Sequence, residues 1–369
     1  MYGKYNKQKE GILMKQRCAK CGLLMSYPGA TTEESAQGVC DYCKNFKRKE
    51  FKGEELLKKE FNEKEKIGVT VSGGKDSIFV WNWAVQTFGA DRVIAFNHRK
   101  VGMVHPLAAA NIEKASEILQ SKIIYMDDEE FYPRFIRNLR TYINHPDAAI
   151  LRAVVCAGCR YGISNAIFEK CNGMGIEKVI NGSSYLEAAP FKSYHMGKFG
   201  EGNETRGLLK GIISEDEYLE KNNIQTIIRD HFNCHEKDLA NKKNEYGIKY
   251  IDFYDYIENK PQEVKRYVEK YLEWKHPDGQ SWRFDCLVEE FKQILFLAAY
   301  GYSELDFKYS QMVRYDLISK DSAIESVQEK NMEVINRIDE LAKILKGFKY
   351  DGTDIMKFYE TCLPLLTGQ

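Results

Sequence analysis

The chain has 369 residues, 43% hydrophobic and 29% charged, a globular balance that excludes wholesale disorder. No stretch approaches 18 uninterrupted apolar residues, which excludes a membrane-spanning helix. Lys+Arg and Asp+Glu are both 54, so no basic excess exists to release counterions from a nucleic acid, and tRNA is a disfavoured partner. Two or three domains, or one large core with appendages, are expected at this length.

Residues 1–20 are charged and interrupted by glycine, with no apolar signal core, and the expected address is cytoplasmic. In a reducing cytosol the ten cysteines read as metal ligands or reactive thiols rather than disulfides. Cys18, Cys21, Cys40 and Cys43 form C-x2-C-x18-C-x2-C, inside the spacing window of a four-thiolate zinc site. Each pair suits a tight knuckle that aims two sulfurs at one ion. Four sulfurs complete a closed tetrahedron with no position left for water. The role expected is structural: a clip that lets a zinc ribbon over 1–48 fold without a sizeable core. The alternative is two unrelated cysteine pairs.

Residues 49–65 are expected to form a helical linker. Its mixed charge, interspersed with Phe51, Leu56, Leu57 and Phe61, fits a solvated helix with one apolar stripe better than a nucleic-acid strip.

The run KIGVTV at 66–71 is short and β-branched, as in a buried parallel strand. It leads directly into Ser72, Gly73, Gly74, Lys75, Asp76 and Ser77, then into apolar residues at helical spacing. A strand, a glycine turn and a helix N-terminus make an anion site, because the backbone can approach closely and the first helical N–H groups are unpaired. The two serine hydroxyls and the Lys75 charge add to it. Neither G-x4-G-K-[ST] nor G-x-G-x-x-G is present. The alternative is a glycine turn without a nucleotide.

A second strand is expected at 92–96 with Asn97 and His98 in its exit loop, a third at 122–126, and a fourth at 178–180 ending in Asn181 and Gly182. Helical patterns such as 108–119 lie between them. This alternation predicts an α/β fold with a doubly wound parallel sheet, whose ligand sits beyond the strands' carboxyl ends. Ser72, Asn97 and Gly182 should then converge.

Ser72 to Ser77 reads S-G-G-x-D-S, which resembles the signature of the PP-loop ATP pyrophosphatase superfamily, the adenine nucleotide alpha-hydrolase-like enzymes. The resemblance implies a HUP-like domain over 66–214. It also implies that ATP is cleaved between its α and β phosphates, adenylating a substrate oxygen before a nitrogen or sulfur nucleophile displaces AMP. It assigns Ser72, Gly73, Gly74, Lys75, Asp76, Ser77, Asn97, His98 and Gly182 to ATP. Lys75 and Asp76 are the implied catalytic residues, Lys75 for the pyrophosphate charge and Asp76 for a magnesium ion. His98 would face the adenine; its alternative is an ordinary surface histidine.

Two branches fit. The ribbon with its Y-P-G, the C-x-x-C at Cys156 and Cys159, the N-G-S-S-Y-L-E exit and the W-R-F-D segment look similar to the N-acetyl sugar amidotransferase family of surface-polysaccharide biosynthesis. That resemblance implies nitrogen transfer to a small polar substrate such as a nucleotide-activated amino sugar. Ammonia would come from a separate glutaminase subunit, since this chain shows no glutaminase signature. The second branch resembles sulfur-inserting tRNA thiolases. There Cys156 and Cys159, sharing a helix face, would hold a [4Fe-4S] cluster with Cys234 or Cys286 as third ligand. A packed or redox-active thiol pair is the alternative. A third reading is a nucleotide-binding sensor without catalysis.

Residues 215–369 read as a helix-rich substrate or dimerisation region, with helices at 217–220, 262–274, 287–300 and 321–345. The last is amphipathic and either packs on the core or mediates a homodimer. Glu187 could meet magnesium or the substrate, or cap a following helix. The loop 274–285 is dense in polar and aromatic groups. It either holds a polar ligand, with Arg283 binding a carboxylate or phosphate, or anchors a turn through its tryptophans. The glycine-rich 195–214 is a candidate flap.

Overall fold

A computed structural model of the chain describes residues 16–31, 38–129, 158–192, 246–277 and 283–337. The elements are a single turn α1 (Asp41–Lys44), α2 (Glu54–Lys59), β1 (Ile67–Thr70), α3 (Lys75–Phe88), β2 (Val93–Lys100), α4 (Pro106–Leu119), β3 (Lys122–Asp128), α5 (Gly158–Gly173) and β4 (Lys178–Asn181). They continue with β5 (Lys249–Asp252), α6 (Pro261–Leu272), α7 (Val288–Tyr300), α8 (Glu304–Arg314) and α9 (Lys320–Asn336).

The five strands form one all-parallel sheet in the order β3-β2-β1-β4-β5, with helices on both faces. Alternate strand residues serve the two sides. Ile67, Val69, Val93, Ala95 and Ile180 pack with α3, α4 and α6, while Ile94, Phe96 and Val179 pack with Ile167, Phe168 and Cys171 of α5. Being buried on both faces is what makes these strands read as continuous apolar runs. Gly68 keeps the centre tight: a Cβ there would lie 3.0 Å from Val179 Cγ2 and 3.2 Å from Phe96 Cε2. Strand order reverses at β1, which pairs with β2 on one side and β4 on the other. A crevice forms there, beyond the strands' carboxyl ends.

Four expectations are corrected. Asn97 and His98 lie inside β2 rather than in an exit loop. β3 is long enough to pair with them residue for residue, Asn97 with Tyr125 and His98 with Met126. Residues 49–65 are not one helix: Gly53, at φ +92°, starts α2, which is six residues long. Leu57 and Phe61 turn inward to the sheet's core. The sheet also runs past residue 214, taking β5 from the stretch read as helix-rich. Finally, α6 ends at Leu272 because Glu273 takes a left-handed conformation, which lifts Trp274 off the helix toward the glycine turn. The flap at 195–214 and the helix at 217–220 lie outside the described residues.

The cysteine ribbon docks on α8 and α9. Buried Tyr27 stacks on Phe307 and packs against Phe191 and Tyr302. Gly22 sits close against Ile324, and Lys320 donates to Ala19 O at 3.3 Å. A capping box at Ser303 and Asp306 starts α8, a helix not read from the sequence. No helix among the described residues is long and apolar enough to cross a membrane.

Candidate functional site

The glycine turn is fixed by sterics and by its own hydrogen bonds. Gly73 has φ +90°, and a Cβ there would stand 2.5 Å from the carbonyl oxygen of Ala108, so no other residue fits undisturbed. Ser72 N donates to Ser77 Oγ at 3.1 Å, and Ser77 Oγ donates to Gly74 O at 2.9 Å. Trp274 Nε1 donates to Gly73 O at 2.9 Å, and Asn97 Nδ2 to Val71 O at 2.7 Å. Asn97 therefore ties β2 to the turn. Gly182 lets the β4 exit approach α3, where a Cβ would meet Ser77 Cα at 3.2 Å. The first N–H groups of α3 have no acceptor within the helix and, with the helix dipole, favour an anion.

Lys75 Nζ lies 2.6 Å from Asp76 Oδ2. The other carboxylate oxygen receives hydrogen bonds from Tyr254 OH and Asn259 Nδ2, both at 3.2 Å. Burial, and then the Asp76 charge, push the Tyr254 phenol well above its usual range, so it remains a donor. Sequence reading missed Tyr254 and Asn259, which follow β5 in a single 3-10 turn (Phe253–Asp255) and the loop after it, with no motif to mark them.

These groups open onto a cleft of about 590 Å³, within the usual size of a small-molecule site. The turn, Asn97, His98 and Gly182 converge on it, as the sheet topology requires. Among the described residues its lining holds six cationic side chains (Lys75, Lys100, Lys265, Arg283, Lys308 and Lys330) against three carboxylates (Asp76, Glu187 and Asp285). In a chain of zero net charge this excess is local. His98 lines the cleft with its Nε2 3.4 Å from Asp128 Oδ2, while its buried Nδ1 has no hydrogen-bond partner among the described residues. It is therefore a half-buried strand residue on the cleft rather than one in a surface loop.

The far wall is a charge cluster. Arg283 Nη2 lies 2.5 Å from Glu187 Oε2, and Lys308 Nζ 3.6 Å from Glu187 Oε1. Glu187 ends a short 3-10 turn (Tyr185–Glu187) capped by Ser184, so its carboxylate meets these cations rather than capping a helix. Burial alone would raise its pKa, but Arg283 and then Lys308 overcome that and hold it well below the usual carboxylate range. Burial lowers Lys308 to about 8, with Glu187 opposing. Lys308 was not read from the sequence. The available signal was a lysine four residues from both Glu304 and Met312, on a stripe of α8 that is otherwise buried.

The loop at 274–285 reaches both the turn and the cleft. Trp274 is buried and braces the turn, and Arg283 stands on the cleft wall. Residues 278–282 lie outside the described ones.

On the ribbon, the four sulfurs of Cys18, Cys21, Cys40 and Cys43 all lie within 4.8 Å of one another. Cys18 and Cys43 are 3.9 Å apart, and Cys21 and Cys40 are 3.6 Å apart. Sulfurs about 2.3 Å from a tetrahedral zinc would be separated by roughly the same distances. Gly22 N donates to Cys18 O, and Cys43 N to Cys40 O, closing the two knuckles. The cluster could hold a metal ion such as zinc. Burial pushes the Cys18 thiol up, but backbone N–H donors from Cys40, Cys21 and Lys20 outweigh it and bring it down to about 6, whereas Cys21, Cys40 and Cys43 are pushed up to about 12, so a metal must displace protons to bind there. No other group of three or more metal-donor side chains is gathered among the described residues. Cys156 and Cys234 lie outside those residues, and the Cys159 side chain is likewise undescribed. Cys286 is half-buried, and its backbone bridges Val104.

No family model matches the chain, and no curated protein matches its sequence.

Proposed function

We propose that this chain is an ATP-dependent enzyme of the PP-loop ATP pyrophosphatase type. It adenylates a small polar substrate, releasing pyrophosphate, and then transfers nitrogen to it as N-acetyl sugar amidotransferases do. One observation carries the reading: a braced glycine turn opens a helix N-terminus onto a cationic cleft where the sheet order reverses. A substrate oxygen attacks the α-phosphorus while the bond to the β-phosphate oxygen breaks. Ammonia from a glutaminase partner then attacks the activated carbon, and AMP leaves with the former substrate oxygen. Activation is needed because a carbon-bound oxygen is a poor leaving group and AMP a good one.

The N–H groups of α3 and the hydroxyls of Ser72 and Ser77 offer donors to the departing pyrophosphate. Lys75 moves from Asp76 to the phosphate oxygens as charge develops on them. That exchange exposes Asp76 Oδ2, a hard oxygen donor suited to magnesium, while Tyr254 and Asn259 keep the carboxylate in place. His98, whose buried Nδ1 has no partner among the described residues, offers a polar contact to the nucleotide base.

The test pairs calorimetry with product analysis. The magnesium complex of AMP-PNP should bind the wild-type chain. Lys75→Ala should weaken that binding by roughly tenfold or more, the scale of a charge-assisted hydrogen bond. Turnover of ATP with a glutaminase partner should give AMP and pyrophosphate. Formation of ADP and phosphate, or no nucleotide binding, would overturn the reading. About four irons per chain after anaerobic purification would replace nitrogen with sulfur as the transferred atom.

A further inference from the structure

Arg314, near the end of α8, is buried and donates from Nη1 to Cys21 Sγ at 3.3 Å. Its Nε and Nη2 donate to the neutral Gln311 side chain at 3.0 and 2.7 Å. Its guanidinium lies 4.8 Å from the centre of the Phe307 ring and 5.7 Å from that of Tyr42. Among the described residues no carboxylate comes within ion-pair distance of it. A buried guanidinium without a counter-charge is costly. Four thiolates around one divalent ion carry a net charge of about −2, so the centre needs a cation as much as Arg314 needs an anion.

The same helix reaches the cleft. Two turns before Arg314, α8 presents Lys308 to Glu187, and Met312 lines the cleft between them. The ribbon is fastened to this helix at further points. Arg17 lies 4.0 Å from Asp306, and Tyr27 stacks on Phe307.

We propose that Arg314 is the buried counter-cation of the four-cysteine centre, and that metal loading, acting through Arg314 and α8, holds Lys308 against Glu187 on the cleft wall. Arg314 is thus a positioning residue, and the metal centre sets the geometry of the cleft as well as the fold of the ribbon. The importance of the wall rests on the function proposed above, but the link between metal and helix does not. The experiment is chosen accordingly.

The protein is loaded with zinc, and transfer of the metal to a coloured chelator is timed for wild type, Arg314→Lys and Arg314→Met. Outer-shell partners of metal ligands typically alter affinity about 10–100-fold. Arg314→Met should release zinc faster by a factor in that range, and Arg314→Lys by less. Hydrogen exchange is then followed on the wild-type chain with and without zinc. Stripping should deprotect 304–314 and 185–187 while leaving 67–88 unchanged. Equal zinc retention in Arg314→Met would overturn the counter-cation role. Unchanged exchange over 304–314 in the stripped wild type would overturn the coupling, and needs no variant to fold. Neither readout uses nucleotide. Loss of AMP-PNP binding with both readouts as expected would therefore fail the proposed function alone.

Discussion

The floor of the cleft takes the groups proposed to bind phosphate from one unbroken stretch, Ser72 and Ser77 being five positions apart, whereas on the wall Glu187 and Arg283 are separated by 96. The floor's turn is shaped by bonds within 72–77 and by Gly73, and distant residues such as Trp274 and Tyr254 only brace it. The wall exists only once α8, the turn after β4 and the loop before α7 have packed together. Local geometry therefore sets the shape of the floor, whereas the wall has no shape until distant segments assemble. A fold can keep one chemistry on the first while varying what it acts on with the second.

Three perturbations separate the two regions. The largest effect is expected at Glu187→Ala, which removes the carboxylate that Arg283 and Lys308 share. Breaking a buried pair costs on the order of 3–5 kcal/mol, and the partial exposure of Arg283 puts the expected loss near the low end, about 3 kcal/mol. A lowered urea midpoint should report it, and adding Lys308→Met should restore part. A loss below roughly 1 kcal/mol would make the wall an ordinary surface cluster.

Gly73→Ala attacks the floor alone. The left-handed backbone and the approach to Ala108 should together cost about 2 kcal/mol, with AMP-PNP binding abolished in calorimetry. If the alanine variant binds nucleotide normally, the turn is not the phosphate site.

The smallest effect is a pH dependence from the wall. Lys308 faces Glu187, Lys75, Asp76 and Arg283, and burial brings it down to about 8. Its charge is present below that pH and lost above it. AMP-PNP affinity should thus fall by roughly fivefold between about pH 7 and 9, the effect of about 1 kcal/mol from one partly screened charge. Lys308→Met should flatten the profile. Stability runs the other way. The unfolded lysine keeps its proton up to its ordinary 10.5, so the unfolded state binds more protons between about 8 and 10.5. This residue's contribution to stability therefore rises with pH across that window.

The same contrast decides what was legible in the sequence. β1, the glycine turn and α3 are adjacent and strongly patterned, and the cysteine spacing fixes the ribbon's sulfurs, so both could be read directly. β5 could not. Only Ile251 of its four residues is buried, so it lacks the apolar run that marks the inner strands. Asn97 and His98 looked like loop because β2's polar end gives no β signal by itself; the pairing with β3 extends it. Glu187 and Arg283 were singled out separately, but nothing in the sequence joins them to each other or to Lys308. Tyr254 and Asn259 bond to Asp76 across 178 and 183 positions, beyond the reach of any local pattern.

The contact between Arg314 and Cys21 spans 293 positions. A ribosome delivers the ribbon first and α8 long afterwards, with the whole sheet made in between. The thiols are therefore ready to take a metal before the helix that neutralises them has been translated. The partly made chain carries an anionic centre with its docking face bare, and the wall of the cleft is completed only once α8 has been made. Such long-range closure slows folding. The ribbon's aromatic face around Tyr27 is then the surface a chaperone would shield until α8 arrives.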